Sequence, residues 1–287
     1  MRRLIHLSDL HFGRDQPGIA DALVAEINAH RPDLVLVSGD LTQDGKVSEF
    51  ESARRFLDRL EAHVLCVPGN HDLPSQDLVE RLTDPYVRWW RIIAAEIEPF
   101  WHDDEVAVIG VNTARRAAFH WNWAHGRISD RQLQRVTERL STVPATLVRI
   151  VIAHHPLFLP DVDIGMKRVR RADAALKSFA AAGVRLVLSG HFHVSFVREH
   201  GHEVETADSQ PGIVAVEGGR RPLLAVHAAT SISSRVRGEP NAYNRISITN
   251  GNIAIEVRIW DGEKWRIRET ATATPVLPST PAEQTVR

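Results

Sequence analysis

The chain is most informative first for what it lacks. Its 287 residues include one cysteine, Cys66, so no intrachain disulfide can form and the cytoplasm is the expected compartment. Neither sign of charge dominates: 35 Lys and Arg stand against 36 Asp and Glu, for a formal net charge of −1. There is no long basic run either, so no nucleic-acid or membrane-surface footprint is expected. No apolar run approaches the ~20 residues a membrane span needs. Met1-Arg2-Arg3-Leu4-Ile5-His6 enters a strand-like run without an apolar h-region, so no signal peptide is expected. Internal repeats are absent.

What is present is ordinary material for a sizeable core, 43% apolar and 25% charged. Leu4–Leu7, Leu34–Val37 and Val64–Val67 are short apolar runs of the kind buried on both faces of a parallel sheet. Between them, 18–30 and about 47–61 carry helical periodicity, with Ile19, Leu23, Val24 and Ile27 on one face and Phe50, Ala53, Phe56, Leu57 and Leu60 on the other's. This β-α-β-α-β rhythm predicts an α/β fold with right-handed crossovers. Residues 76–100 are expected to form an aromatic helical insertion with Tyr86, Trp89, Trp90, Ile92, Ile93 and Phe100. That segment is packed on the core, or is a lid or the surface of a homodimer. Strands are expected at 105–111, 147–153 and 184–188, with a helix opened by the capping box Ser129-x-x-Gln132 and another at 172–182 closed by Gly183. From 195 to 268 the pattern is antiparallel β, with hairpins at Asn250-Gly251 and Asp261-Gly262. One domain over 1–270 is expected, followed by a disordered Thr-, Pro- and Ala-rich tail at 271–287.

Five polar clusters each follow an apolar strand run: Asp9-x-His11, Gly39-Asp40, Gly69-Asn70-His71-Asp72, His154-His155-Pro156 and Gly190-His191-x-His193. Any one of them is more often incidental than functional. Five in series at strand ends converge on one sheet edge, where open α/β sheets bind ligands. Together they offer Asp9, His11, Asp40, Asn70, His154, His191 and His193. Imidazole, carboxylate and one amide, without thiolate, suit Mn, Fe, Co or Zn. Seven donors exceed one tetrahedral site but fit two ions about 3.5–4 Å apart with a bridging carboxylate.

This motif series resembles the calcineurin-like metallophosphoesterase superfamily, and within it the bacterial cyclic-nucleotide and glycerophosphodiester phosphodiesterase branch. The resemblance spans residues 9–193 and implies a four-layer α/β/β/α sandwich of two mixed sheets flanked by helices, with a dinuclear metal centre at the C-terminal strand ends. It implies that Asp9, His11 and His193 hold one divalent ion, that Asn70, His154 and His191 hold the second, and that Asp40 bridges them. His154, two residues before Pro156, takes the ligand position; His155 is expected to stand behind it. The resemblance gives His71 the acid/base or transition-state role, and Asp72 is expected to orient its ring.

The expected chemistry is hydrolysis of a P–O bond by metal-bound hydroxide, because a divalent ion brings the pKa of bound water to about 7 and both ions can clamp phosphoryl oxygens. His71 would serve the leaving alkoxide. The loop Leu41-Thr42-Gln43-Asp44-Gly45 lacks the tyrosine of purple acid phosphatases, which argues against a ferric charge-transfer site. The expected partner is a small phosphoester. Asn112, Arg115, His125 and Arg127 are candidates to touch its non-reacting part, with the loop 117–128 as a pocket wall. The polar loop from Thr230 through Arg235 to Asn241 either approaches the site or is a plain connector. A phosphomonoesterase, a nucleotide-lipid pyrophosphatase, a metallohydrolase acting on C–N or C–O bonds and, in another class, a non-catalytic interaction scaffold are the alternatives.

Overall fold

The computed structural model describes residues 1–116, 125–159, 165–199, 213–216 and 222–268. Strands β1 (Arg2–Leu7), β2 (Leu34–Val37) and β3 (His63–Cys66) are parallel neighbours, crossed over by helices α1 (Pro17–His30) and α2 (Val47–Leu57). Two short helices follow, α3 (Leu78–Thr83) and α4 (Val87–Ile92), then β4 (Phe100–His102), β5 (Val106–Val111), α5 (Asp130–Ser141), β6 (Val148–Ala153), α6 (Ala172–Ala181) and β7 (Val184–Ser189). The chain ends in β8 (Phe196–Glu199), β9 (Ile213–Val216), β10 (Leu224–His227), β11 (Ala242–Thr249), β12 (Asn252–Trp260) and β13 (Trp265–Ile267). One sheet runs β13-β12-β11-β1-β2-β3, with β9 also paired to β12; the other runs β4-β5-β6-β7-β10-β8. Both sheets are mixed: parallel strands fill one end of the first sheet and the centre of the second, and antiparallel strands extend them.

The central strands read as continuous apolar runs because both of their faces are covered. In β2, Leu34 and Leu36 point into a layer shared with Val108, Ile150, Ile152, Leu186 and Leu188 of the other sheet. The alternate residues Val35 and Val37 point outward against Leu23, Ile27, Phe50 and Phe56. On the far side, Val151 and Val187 pack under Leu133, Val136, Leu176 and Phe179. The order of layers is therefore helix, sheet, sheet, helix. Local signals set the ends of these elements. Ser129 and Gln132 make both bonds of the capping box at α5. Asn250 and Gly251, both at positive φ, turn β11 into β12.

The 76–100 segment is two short helices and the start of a strand rather than one long helix. Pro85 disfavours helical backbone at Asp84, whose φ and ψ of −143° and 68° end α3. Trp89 and Ile93 are buried in the core beside Phe50, whereas Trp90, Leu78, Val79 and Leu82 are exposed. The 271–287 tail and residues 117–124 of the expected pocket wall lie outside the described residues.

A polar seam crosses the inter-sheet layer below the strand ends. His6 Nδ1 accepts from Asn244 Nδ2 at 3.2 Å, so its Nε2 carries the proton and donates to Ser38 Oγ at 2.9 Å. His227 is stacked between Phe192 and Phe196, with ring centroids at 5.1 and 4.6 Å, and donates Nδ1–H to the Val194 carbonyl. Burial, then proximity to His227, pushes His6 down to about 3; burial likewise pushes His227 down to about 4. These folded-state values lie below the ordinary 6.5, so the unfolded chain binds more protons, and stability is lost as pH falls below about 6.5 toward them. At about pH 5 each of the two costs about 2 kcal/mol. His227→Phe removes one of them, so in urea unfolding the variant should gain about 2 kcal/mol on wild type between about pH 7 and pH 5. A stability difference independent of pH would rule this account out.

Candidate metal centre

All five motif clusters stand at the C-terminal ends of parallel strands: β1, β2 and β3 in one sheet, β6 and β7 in the other. Backbone bonds lace the β1 loop to the β2 loop and the β6 loop to the β7 loop. Asp9 N donates to the Gly39 carbonyl, His11 N to that of Asp40 and Gly190 N to that of His154, each at 3.0 Å. Of the eight described non-glycine residues with positive φ, five are Asp9, His11, Asp40, His191 and His193. Left-handed backbone costs about 1–3 kcal/mol per residue. Its concentration here means that the loops are held in strained turns that throw successive side chains toward one point.

The glycines of the motifs answer to crowding at that point. A Cβ on Gly190 would lie 1.7 Å from Ser8 Oγ and 2.4 Å from Asp9 Oδ2. A Cβ on Gly69 would lie 2.1 Å from Asp40 Oδ1. Gly190→Ala is accordingly expected to push Asp9 aside, to lower stability by about 1–3 kcal/mol and to reduce metal retention. Urea unfolding with metal analysis of the purified variant checks this; wild-type stability and metal content together would refute it.

Two donor groups emerge. Asp9 Oδ2 is taken up by Ser8 Oγ at 2.6 Å and His191 N at 2.9 Å. Its Oδ1 is thereby left facing His193 Nε2 at 3.1 Å and His11 Nε2 at 3.6 Å. Those imidazole nitrogens are 3.3 Å apart. In the second group, Asp40 Oδ2 is 3.2 Å from His154 Nε2, which is 3.2 Å from His191 Nδ1. Asp40 Oδ2 also lies 3.8 Å from His11 Nε2, between the two groups. Backbone carbonyls set the remaining ring nitrogens: Ser38 O accepts from His154 Nδ1 at 2.8 Å and Arg235 O from His193 Nδ1 at 2.5 Å. Asp9, His11, Asp40, His154, His191 and His193 are all buried, and Asn70 is half-buried.

These donors fit divalent metal ions. Asp9 Oδ1 and Asn70 Oδ1 are buried without a hydrogen-bond partner, which is costly unless a cation completes them. Ligand atoms of Asp9, His11 and His193 lie within 4.8 Å of one another, as do those of Asp9, Asp40 and His154. The charges agree. Burial alone would raise Asp9 and Asp40, but the imidazoles of His193 and His11 around the first, and of His154 and His71 around the second, hold both well below the usual carboxylate range. Burial lowers His154, yet Asp40 more than offsets it and raises that imidazole to about 9. Burial lowers His11, and burial with His155 and His154 lowers His191. Two buried carboxylates thus draw positive charge onto His154, while burial favours the neutral, donating form of His11 and His191.

His155 stands as a neighbour of the second group, its Nδ1 2.7 Å from Thr113 Oγ1 and its ring 4.6 Å from that of His191. His154, not His155, faces Asp40. The expected role of Asp72 is corrected. Its Oδ1 accepts from Thr42 N and Oγ1 at 2.9 and 3.0 Å and its Oδ2 from Gly69 N at 2.8 Å, so it ties the β2 and β3 loops together and does not orient His71. Burial and the charge of Asp40 push Asp72 up to about 7 against those backbone donors. What orients His71 is the Gln43 carbonyl, which accepts Nδ1–H at 2.6 Å and turns Nε2 into the site. His71 N also donates to Asp40 Oδ1 at 2.8 Å.

The candidate substrate contacts fare differently. The Asn112 side chain is committed to Tyr86 and Ala114, donating to Tyr86 Oη at 2.7 Å and accepting from Ala114 N at 3.0 Å; its role is to hold the end of β5. Arg115 is half-buried, and burial with the nearby Arg170 and Arg127 lowers its pKa. His125 is half-buried beside Gly126, whose α-carbon abuts the His155 ring. Sequence reasoning left open whether the loop carrying Arg235 approaches the site, and gave Gln43 no role there. Arg235 Nη1 lies 3.2 Å from His71 Nε2, 3.3 Å from Gln43 Oε1 and 3.4 Å from His11 Nδ1. The only signal was that both stand in polar loops after strands.

Known proteins resemble this chain in sequence and in fold. The family model for calcineurin-like phosphoesterases matches residues 2–195. A protein of Synechococcus named a probable cyclic nucleotide phosphodiesterase is 28% identical over 186 residues, 63% of this chain and 66% of that one. A cAMP/cGMP dual specificity phosphodiesterase of Mycobacterium tuberculosis is 29% identical over 208 residues, covering 67% of this chain and 62% of its own. The matched region thus spans a little under two thirds of the length of these two relatives. A crystal structure of a dimetal phosphatase from Danio rerio superposes with a TM-score of 0.65 at 12% identity, over 90% of this chain and 96% of that one, and so shares the fold.

Proposed function

The chain belongs to the calcineurin-like phosphoesterase family, and from that premise we propose that it is a phosphodiesterase that hydrolyses a P–O bond of a small phosphodiester with two divalent metal ions. One observation carries the reading: donors from five strand ends meet in two buried groups that share Asp40, with Asp9 Oδ1 and Asn70 Oδ1 left for a cation. Asp9, His11 and His193 would hold one ion and Asn70, His154 and His191 the other, with Asp40 between the two groups. Mn, Fe, Zn and Co suit this set of oxygen and nitrogen donors. The cyclic-nucleotide activity named for the two relatives supports a diester of that class. Cys66 is buried and its thiol pushed up to about 12 by that burial, in keeping with a cytoplasmic, disulfide-free protein. Among the described residues no helix is long and apolar enough to cross a membrane.

Bound divalent ions supply a lowered pKa for water and positive charge for phosphoryl oxygens. The protein's own part is to hold the ions on buried side chains whose second nitrogen or oxygen is already fixed by Ser38, Arg235, Ser8 and the backbone of His191. His71, fixed through Nδ1 by Gln43, presents Nε2 at the mouth of the site, where a leaving oxygen needs a proton or a hydrogen bond. The test is hydrolysis of bis(p-nitrophenyl) phosphate by purified protein loaded with Mn. Turnover is expected and should vanish on dialysis against EDTA and return with Mn. Absence of turnover on the diester by metal-replete protein would overturn the proposal, and faster turnover of p-nitrophenyl phosphate would make it a monoesterase.

A further inference from the structure

Arg235 does not behave as a solvated surface arginine, although it comes from an exposed loop. The residues that carry it are fastened to the metal centre from several sides. Thr230 Oγ1 donates to the Asp9 carbonyl at 2.6 Å, and Ser231 N donates to that of Ser8 at 3.0 Å. Ser234 N reaches Arg14 O at 2.9 Å, and Arg235 N donates to Ser233 Oγ at 3.1 Å. Beyond Arg235, Glu239 accepts from Ser195 N at 2.9 Å and pairs with Arg268 at 2.6 Å. Thr230, Ser231, Ile232 and Ser233 are buried, so the loop is part of the scaffold and Arg235 is delivered to a fixed place.

At that place the guanidinium has no carboxylate among the described residues, unlike Arg245 and Arg258, which are paired with Glu256 and Glu26. Its described contacts all go through Nη1, at 3.2–3.5 Å, to imidazole nitrogens of His11 and His71 and to the Gln43 side-chain oxygen. Those are long contacts, and none is to a carboxylate. Nε and Nη2 remain for a ligand, and a guanidinium fork matches a pair of phosphoryl oxygens. Gln43 ties the group together, since its carbonyl fixes His71 and its amide oxygen receives Arg235.

The geometry points to Arg235 as the residue that grips a non-bridging oxygen of the substrate's phosphoryl group, with Gln43 as the positioning residue that aligns Arg235 and His71. This rests on the reading of the site as a phosphoester hydrolase. The arginine adds a fixed positive charge on the His71 side of the centre, where an anionic phosphoryl group enters. It also ties phosphate recognition to the ligand His193 through one residue, because the Arg235 carbonyl accepts from His193 Nδ1 while its side chain meets the substrate.

The experiment uses the full chain loaded with Mn. Arg235→Gln and Arg235→Lys are compared with wild type by metal analysis, by calorimetric titration with inorganic phosphate, and by kcat and KM on bis(p-nitrophenyl) phosphate. Arg235→Gln should keep both metals, bind phosphate about tenfold or more weakly, and lose about 100-fold in kcat/KM. Arg235→Lys should recover most of the phosphate affinity but less of the rate, since a point charge replaces the fork. Wild-type phosphate affinity in Arg235→Gln would overturn the assignment. Loss of metal in both variants would overturn it as well, because the side chain would then serve to support the metal ligands rather than to grip the substrate. Phosphate binding is read separately from turnover. A wild-type protein that binds phosphate through Arg235 yet hydrolyses no ester would sink the phosphodiesterase reading and leave this one standing.

Discussion

Asp40→Asn should abolish turnover of phosphodiesters, with a fall in kcat/KM on the order of 1000-fold or more, as expected when one member of a cooperative catalytic unit is removed. The substitution is nearly isosteric, so the argument is about charge. Asp40 is buried, its Oδ2 lies 3.2 Å from His154 Nε2 and 3.8 Å from His11 Nε2, and its Oδ1 holds His71 N at 2.8 Å. An amide would keep the bond to His71 N through its oxygen and would turn an NH2 group toward the metal-facing nitrogens. It would also remove one of the two buried carboxylates that give the centre its affinity for cations. Metal analysis should find one ion per chain or fewer. Two ions bound, with activity within about tenfold of wild type, would show that Asp40 is not shared between the groups.

His71→Ala should have the next largest effect and a different signature. The ring presents Nε2 to the site while Nδ1 is held by Gln43, and its contact with the strand-end ligand His11 is edge-on ring packing with centroids 4.9 Å apart. Both metals should therefore remain and KM should change little, while kcat falls by about 100- to 10,000-fold. A group that assists the departing oxygen matters most when that oxygen is basic. The loss should thus be larger for a diester with an alkyl leaving group, such as a ribose alkoxide, than for bis(p-nitrophenyl) phosphate. Equal losses on the two substrates would show that His71 acts on something other than the leaving group, and loss of metal would make it a ligand.

The His71 replacement isolates one part of a tetrapeptide whose four members do different work. In Gly69-Asn70-His71-Asp72 the glycine leaves room for the Asp40 carboxylate, Asn70 turns an unpartnered oxygen inward, and His71 reaches the mouth. Asp72 looked like the partner of its neighbour because a carboxylate so often orients an imidazole. Adjacent side chains on a tight loop diverge, however, and Asp72 is spent on Thr42 and Gly69. Asn112 misled in a similar way, since a polar residue just past a strand can as easily anchor that strand's end as line a pocket.

The sequence by itself determined the β-α-β units, the capping box at Ser129, the hairpin at Asn250-Gly251 and the five polar motifs at strand ends, because each depends on neighbours a few residues away or on a strand's side-chain period. It pointed to one sheet edge for all five strand ends, whereas they belong to two sheets, β1, β2 and β3 in one and β6 and β7 in the other. Only the tertiary structure decided which oxygen of Asp9 is left for a cation, that Asp40 stands between two donor groups, that Gln43 rather than Asp72 sets His71, and that Arg235 enters the site. These are contacts across separations of up to 224 residues between side chains whose directions are set by strained loop turns. No local pattern encodes them, because the partner in each case is delivered by a different strand.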